Sequence, residues 1–318
     1  MVVAIPTAIA FFGGAPDYLQ YALRSAAERN HPAVLIGDAS NRQLWSNHWD
    51  AGQSIPEKWR AFQETFTKMS DYPDAYEQSF WFRPFAVEQW MESCGVDEAF
   101  LLDSDVITFA DYSRDIRRDL PEGCLAALMM YEGIREFEWA ASLHMSYWTR
   151  PALADFTTFC IAAYRDRTIR QQLERKHRWH LATGTPGGIC EMTLLYLWQQ
   201  RHPGRVINLA SIRNGTVADL AIGTANNRVE NEYEVRYGLK RLVFQRGSPY
   251  GLNVAAGARV RFLCVHCQGR FKGLMRILAN RRLRAFYRER ESIAQVVVHS
   301  RAAVGHAWAT VLMLIGLA

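Results

Sequence analysis

Residues 3–12 form a predominantly apolar run, Gly13-Gly14-Ala15-Pro16 breaks it, and apolar positions then recur at helical spacing over 17–29. A second short apolar run, Ala33-Val34-Leu35-Ile36, ends at Gly37-Asp38. Strand, loop, helix, strand at the start of a chain argues for a parallel sheet covered by helices, because parallel neighbours need a crossover between them. Asp17 is placed to cap the 17–29 helix. In such sheets ligands gather beyond the C-terminal ends of the strands. The Gly13-Gly14 loop and Asp38 fall there.

Further along, 56–69 and 77–93 read as aromatic-rich helices, and Glu98-Ala-Phe-Leu-Leu102 reads as a third buried strand. Residues 124–130 read as another strand, 151–177 as a helix with a basic end, and 189–201 as a helix after the loop at 183–188. From 205 to 250 short β-like runs alternate with polar segments. Arg259–Val265 alternates like a strand and feeds into His266. A basic, Arg-rich helix is expected over 274–290, and 302–318 is nearly all apolar.

The chain has 318 residues and 49% hydrophobic content, enough for a sizeable core. Its net charge is +5, without the dense basic clusters that nucleic acid would predict, so no nucleic-acid partner is expected. Six scattered cysteines do not form a disulfide framework, and residues 1–12 lack the basic start of a signal peptide. Cytoplasmic residence is the expectation. A basic helix followed by an apolar segment also suits peripheral contact with an anionic membrane surface.

Two motifs carry chemistry. Phe100-Leu-Leu-Asp-Ser-Asp105 ends a buried strand in two carboxylates spaced i, i+2, which can reach one hard cation such as Mn²⁺ or Mg²⁺. A turn after a strand would use the same residues. His266-Cys-Gln-Gly-Arg-Phe-Lys272 also follows a strand. Its His offers a nitrogen ligand, Gly269 lets backbone approach a phosphate, and Lys272 can neutralise a diphosphate. Cys264, His266 and Cys267 alone do not make a structural zinc site, since no second Cys pair or Cys/His cluster complements them.

Together, the D-x-D and the H-x-x-G-x-x-K resemble the GT-A glycosyltransferases, in particular the glycogenin and galactosyltransferase group. The resemblance runs through 8–16, Leu35–Asp38, Phe80-Trp-Phe-Arg83 and Pro186–Thr193. Gly273-Leu274 departs from it, standing where that group often has an aromatic or Pro-Trp pair. The resemblance implies a mixed, mostly parallel α/β sheet flanked by helices. It implies Mn²⁺ (or Mg²⁺) on Asp103, Asp105 and His266, with Gly269 and Lys272 on the diphosphate. Phe12, Gly13, Asp38, Arg83 and Ser104 complete the expected donor site. The expected partners are a nucleotide-sugar donor, with UDP favoured, and a glycan or lipid-linked acceptor, as in bacterial surface polysaccharide synthesis. The expected domain spans 1–290, with a nucleotide-binding half at 1–110 and an acceptor half at 111–290, followed by a tail at 291–318.

Glu191 begins a helix after Gly187-Gly188. It is a candidate catalytic residue beside Lys272, as a base or as a stabiliser of positive charge at the sugar, or simply a first-turn acid. His144 and Trp148 are candidates to line the sugar pocket. Two alternatives stay open: a haloacid-dehalogenase-type phosphatase using Asp103 and Asp105, and a non-catalytic nucleotide-sugar-binding protein.

Overall fold

The computed structural model describes residues 4–131, 133–223, 232–236, 238–282 and 284. The apolar segment 302–318, and the end of the expected 274–290 helix, lie outside the described residues. The chain begins β1 (Thr7–Ala10), α1 (Asp17–Ala27), β2 (Ala33–Gly37), β3 (His48–Asp50), α2 (Glu57–Thr65) and α3 (Asp74–Ser93). It continues β4 (Glu98–Leu102), β5 (Val106–Thr108), α4 (Tyr112–Asp115), β6 (Ala126–Met130) and β7 (Ala141–Thr149). Then come α5 (Arg150–Arg165), α6 (Arg167–Thr183), α7 (Glu191–Gln199) and β8 (Val206–Asn208).

One sheet runs in the order β3-β2-β1-β4-β7-β6-β8. β7 is antiparallel to both of its neighbours, and the other pairings are parallel. This is the mixed, mostly parallel α/β architecture expected from the sequence. Successive side chains of a strand point to opposite faces, so a strand apolar throughout needs cover on both. Ile9, Leu35, Phe100 and Leu102 pack on one face with Leu19 and Leu23 of α1. Ala8, Val34, Ile36 and Leu101 pack on the other with Trp81 and Phe85 of α3 and Phe156 of α5. The buried Glu88 of α3 is satisfied by Lys58 and Thr157, each at 2.6 Å.

A smaller four-stranded sheet lies after β8, in the order Leu242–Gln245, Ser248–Asn253, Ala258–Phe262, Thr216–Val217. Among the described residues no helix is long and apolar enough to cross a membrane.

Several elements differ from the sequence reading. Among the described residues β1 covers Thr7–Ala10, shorter than the apolar run that announced it. Pro16, not Asp17, takes the cap position of α1; Asp17 is its first helical residue, where an acid favours the helix dipole. The single helix expected over 151–177 is two, because Asp166 leaves the helical conformation and accepts the N–H of Ile169 at 2.9 Å. The strand expected over 259–265 splits at Leu263. Ala258–Phe262 joins the smaller sheet, while Cys264–His266 pairs antiparallel with β5, setting His266 opposite Val106. His266 is therefore the last residue of a strand. Lys272 lies in a short 3₁₀ turn, Gly269–Leu274, ahead of the helix Met275–Ala279.

Candidate active site

β4 delivers Asp103 to the C-terminal edge of the sheet, where its N–H donates to the carbonyl of His144 in β7 at 2.9 Å. The chain turns there, with Val106 N–H on the Asp103 carbonyl at 3.2 Å, and leaves as β5. The β5 pairing then brings the Cys264–His266 strand alongside, and Cys267 N–H donates to the Asp105 carbonyl at 2.8 Å. Residues far apart in the chain thus meet through one short strand pair.

A carboxylate oxygen from each of Asp103 and Asp105 and a ring nitrogen of His266 lie within 4.8 Å of one another. His266 Nε2 is 3.3 Å from Asp105 Oδ1, and Nδ1 is 2.7 Å from the Leu220 carbonyl. A carbonyl can only accept, so Nδ1 carries a hydrogen and Nε2 faces the carboxylates, donating to Asp105 when protonated and open to a cation when it is not. Two carboxylates and an imidazole nitrogen, the latter fixed by a carbonyl behind it, suit a divalent cation such as Mn²⁺ or Mg²⁺, which would take the place of any proton on Nε2.

Two cationic side chains flank these donors. Lys272 Nζ lies 3.5 Å from Asp105 Oδ2 and 4.6 Å over the ring of Tyr18. Arg83 of α3, between the buried Trp81 and Pro84, bonds Asp103 with one nitrogen and Glu191 Oε1 with the other at 3.2 Å. Burial raises the Asp105 carboxyl, but the hydrogen bond from His266 and the charges of His266 and Lys272 carry it down to about 2. Burial opposes the charged form of His266, and Asp105 outweighs it, so that imidazole is shifted upward.

Glu191 opens α7, and its side chain is 8% exposed. Burial pushes its carboxyl up to about 7, even though Arg83 pulls the other way. Its folded-state pKa is above that of the unfolded chain, so its ionisation costs stability as pH rises from the ordinary carboxylate range through about 7. In metal-free protein, Glu191→Gln should gain stability relative to wild type between pH 5 and pH 8, by up to about 3 kcal/mol. Urea unfolding at the two pH values checks this; a pH-independent difference would contradict it.

Gly187-Gly188 sets where α7 begins. Gly187 N–H donates to Asp71 at 3.1 Å, and Ile189 N–H donates to the Met69 carbonyl at 2.9 Å. Gly188 has φ of +137°, and a Cβ there would fall 2.3 Å from the Met69 carbonyl oxygen. Gly188→Ala is expected to cost at least about 2 kcal/mol by combining a strained backbone with a clash against main chain. Equilibrium denaturation measures it.

The remaining candidates fall into place unevenly. Asp38 is occupied as a turn brace, accepting from Gly13 N–H at 2.7 Å and from Ser40 N–H at 2.8 Å. Burial raises its carboxyl, and the bond from the Ser40 hydroxyl, together with these two, more than offsets that. Phe12 packs on Phe82 with ring centroids 5.0 Å apart. Ser104 is half-buried between the two aspartates, and Gly269 is exposed with φ of +61° ahead of Lys272. His144 and Trp148 do not line an open pocket, being 2% and 1% exposed. Trp148 packs in the core on Phe156 and Trp198. His144 lies behind His266, rings stacked at 4.1 Å, and burial drives its imidazole well below its ordinary pKa.

The sequence reading missed Tyr76, Tyr18, Asp219 and Lys240. Tyr76 is 60% exposed, within electrostatic reach of Glu191, Arg83, Asp103 and Lys272. Its helical spacing from Arg83 (two turns of α3) was a usable signal.

No family model matches the chain, and no curated protein matches it. Among solved structures it is similar to mouse xyloside xylosyltransferase 1, at 12% identity over 70% of this chain and 89% of that one, with a TM-score of 0.48. It is similar to a glycosyltransferase involved in glycosylation of the major capsid of PBCV-1, at 14% identity over 68% and 84%, TM-score 0.37. It is also similar to the galactosyltransferase LgtC, described in complex with donor and acceptor sugar analogues, at 13% identity over 65% and 74%, TM-score 0.38.

Proposed function

We propose that the chain is a divalent-metal-dependent glycosyltransferase, moving a hexose-type sugar from a nucleotide diphosphate donor, UDP-sugar foremost, to a glycan or lipid-linked acceptor. The observation that carries this reading is the convergence of Asp103, Asp105 and His266 within 4.8 Å, flanked by Lys272 and Arg83. The charges support a diphosphate. Two carboxylates balance a divalent cation and Arg83 is engaged by Asp103 and Glu191, which leaves the Lys272 charge to hold an anionic donor. Mn²⁺, held by Asp103, Asp105 and His266, would supply a Lewis acid for the departing nucleotide diphosphate.

The protein's own groups fill the other roles. Lys272, held against Asp105 and over Tyr18, is positioned to neutralise negative charge developing on the leaving group. Arg83 keeps Asp103 oriented and ties it to Glu191. Glu191, with a carboxyl poised near pH 7, serves as the catalytic carboxylate on the sugar side, either as base or as partner of positive charge at the anomeric carbon. Tyr76 offers an exposed aromatic face for a sugar ring at the rim. The β1–α1 loop, braced by Asp38, forms the wall for the nucleoside.

A panel of nucleotide sugars, incubated with and without Mn²⁺ and analysed for transfer or slow hydrolysis, tests the proposal. Turnover of one donor class, dependent on the cation, is expected. Failure of every donor to bind or turn over would reject it, and release of phosphate from simple monoesters would point instead to a phosphatase.

A further inference from the structure

Behind the candidate cation ligands lies a buried ion pair that belongs to neither motif. Asp219 Oδ1 and Lys240 Nζ are 2.6 Å apart, with side chains 0% and 3% exposed. Lys240 Nζ also lies 4.8 Å over the ring of Tyr233 and 5.6 Å over that of Phe262. Burying two charges is costly, and well-packed apolar residues of similar volume often serve stability as well or better. Core packing alone therefore does not account for the pair.

What Asp219 touches supplies the reason. Its Oδ2 accepts the backbone N–H of His266 at 3.1 Å. Its own carbonyl accepts from His144 Nε2 at 3.0 Å, and the next carbonyl, Leu220, accepts from His266 Nδ1 at 2.7 Å. Ile222 N–H donates to the His266 carbonyl, and Lys240 N–H to the Ile222 carbonyl, both at 2.9 Å. The segment 219–222 therefore grips His266 at its N–H, its carbonyl and its ring, and holds the ring stacked behind it. Lys240 secures that segment twice, through its side chain and its main chain.

We propose that Asp219 and Lys240 are positioning residues of the cation site. The buried carboxylate fixes segment 219–220 against the His266 backbone. The Leu220 carbonyl then keeps the ring in the Nδ1–H tautomer, with Nε2 directed at Asp103 and Asp105. This rests on the metal-site reading above, and it adds a support whose loss loosens the imidazole without removing any ligand. Groups that orient metal ligands typically matter about 10–100-fold in affinity.

The test uses the full chain and Mn²⁺ alone, with free Mn²⁺ read by electron paramagnetic resonance. Wild type should bind Mn²⁺ and Asp105→Asn should lose binding. Lys240→Met, which leaves Asp219 buried without its partner, should bind about 10–100-fold more weakly. The double variant Asp219→Leu/Lys240→Met removes both charges, so it decides the matter even if the single variant fails to fold. Positioning predicts that the double variant folds yet still binds Mn²⁺ at least about 10-fold more weakly. A purely structural pair predicts wild-type affinity in that variant, which would overturn the proposal. Histidine ¹⁵N spectra of metal-free protein give a readout independent of the metal. In wild type the His266 Nδ1–H, held by the Leu220 carbonyl, should give a slowly exchanging proton resonance that is lost in the double variant, and an unchanged resonance would also overturn the proposal. Lack of Mn²⁺ binding by wild type would overturn the metal-site reading itself, with the Nδ1–H result still separating the two ideas.

Discussion

Asp105→Asn is expected to lower turnover of the nucleotide-sugar donor by about 10²–10³-fold while leaving the protein folded. The side chain is 10% exposed and faces His266 Nε2 at 3.3 Å and Lys272 Nζ at 3.5 Å. The amide keeps the shape and one acceptor oxygen but removes the charge that a cation and Lys272 both require. The loss should therefore appear in turnover at saturating donor and in Mn²⁺ affinity together. Rate measurements across a Mn²⁺ series, with circular dichroism to verify folding, check it. Wild-type turnover in the variant would show that Asp105 is only a turn residue.

The second large effect is at Arg83. Its side chain is 13% exposed, between Asp103 at 25% and Glu191 at 8%. Arg83→Met leaves two largely buried carboxylates facing each other without the guanidinium that joins them. Breaking such a buried arrangement from one side costs about 3–5 kcal/mol. Because Arg83 lowers the Glu191 carboxyl, its removal should also move that group upward from about 7, making Glu191 a neutral acid at physiological pH. Arg83→Lys separates the two consequences. It retains a charge, so it should cost less stability, yet a single ammonium cannot bond both carboxylates as the planar fork does. Transfer should stay impaired in both variants. Denaturant midpoints and donor turnover measured side by side check this; a Lys variant equal to wild type in both would contradict it.

The strand ends were legible because buried strands announce themselves as apolar runs. β1, β2 and β4 stand out, and with β4 came the position of Asp103 at the C-terminal edge of the sheet. What joins the two halves of the site was not legible. β5 has three residues and the strand it pairs with also has three, too short for any periodic signal, and their partnership is set by packing across the chain. The motif residues His266 and Lys272 were visible, but the route by which His266 reaches Asp105 was not.

Local chemistry explains the other differences. Asp166 carried an N-cap signal that a continuous helical pattern masked. His144 and Trp148 sit on β7, a strand covered on both faces, so neither reaches the surface. Asp38 and Ser40 take up the N–H groups of Gly13 and Gly14, a loop brace that no sequence pattern announced. Asp219 and Lys240 lie in segments with no motif, and only the fold reveals that they brace His266.

The central claim is that Asp103, Asp105 and His266 join a cation to a nucleotide diphosphate. Calorimetric titration of UDP into the protein, with Mn²⁺ and then with a chelator, tests it most directly. The account predicts that UDP binds in the presence of Mn²⁺, that binding is lost on chelation, and that Asp105→Asn binds no better with Mn²⁺ than without. Equal UDP affinity with and without Mn²⁺, or no affinity for any nucleotide diphosphate when Mn²⁺ is present, would contradict it.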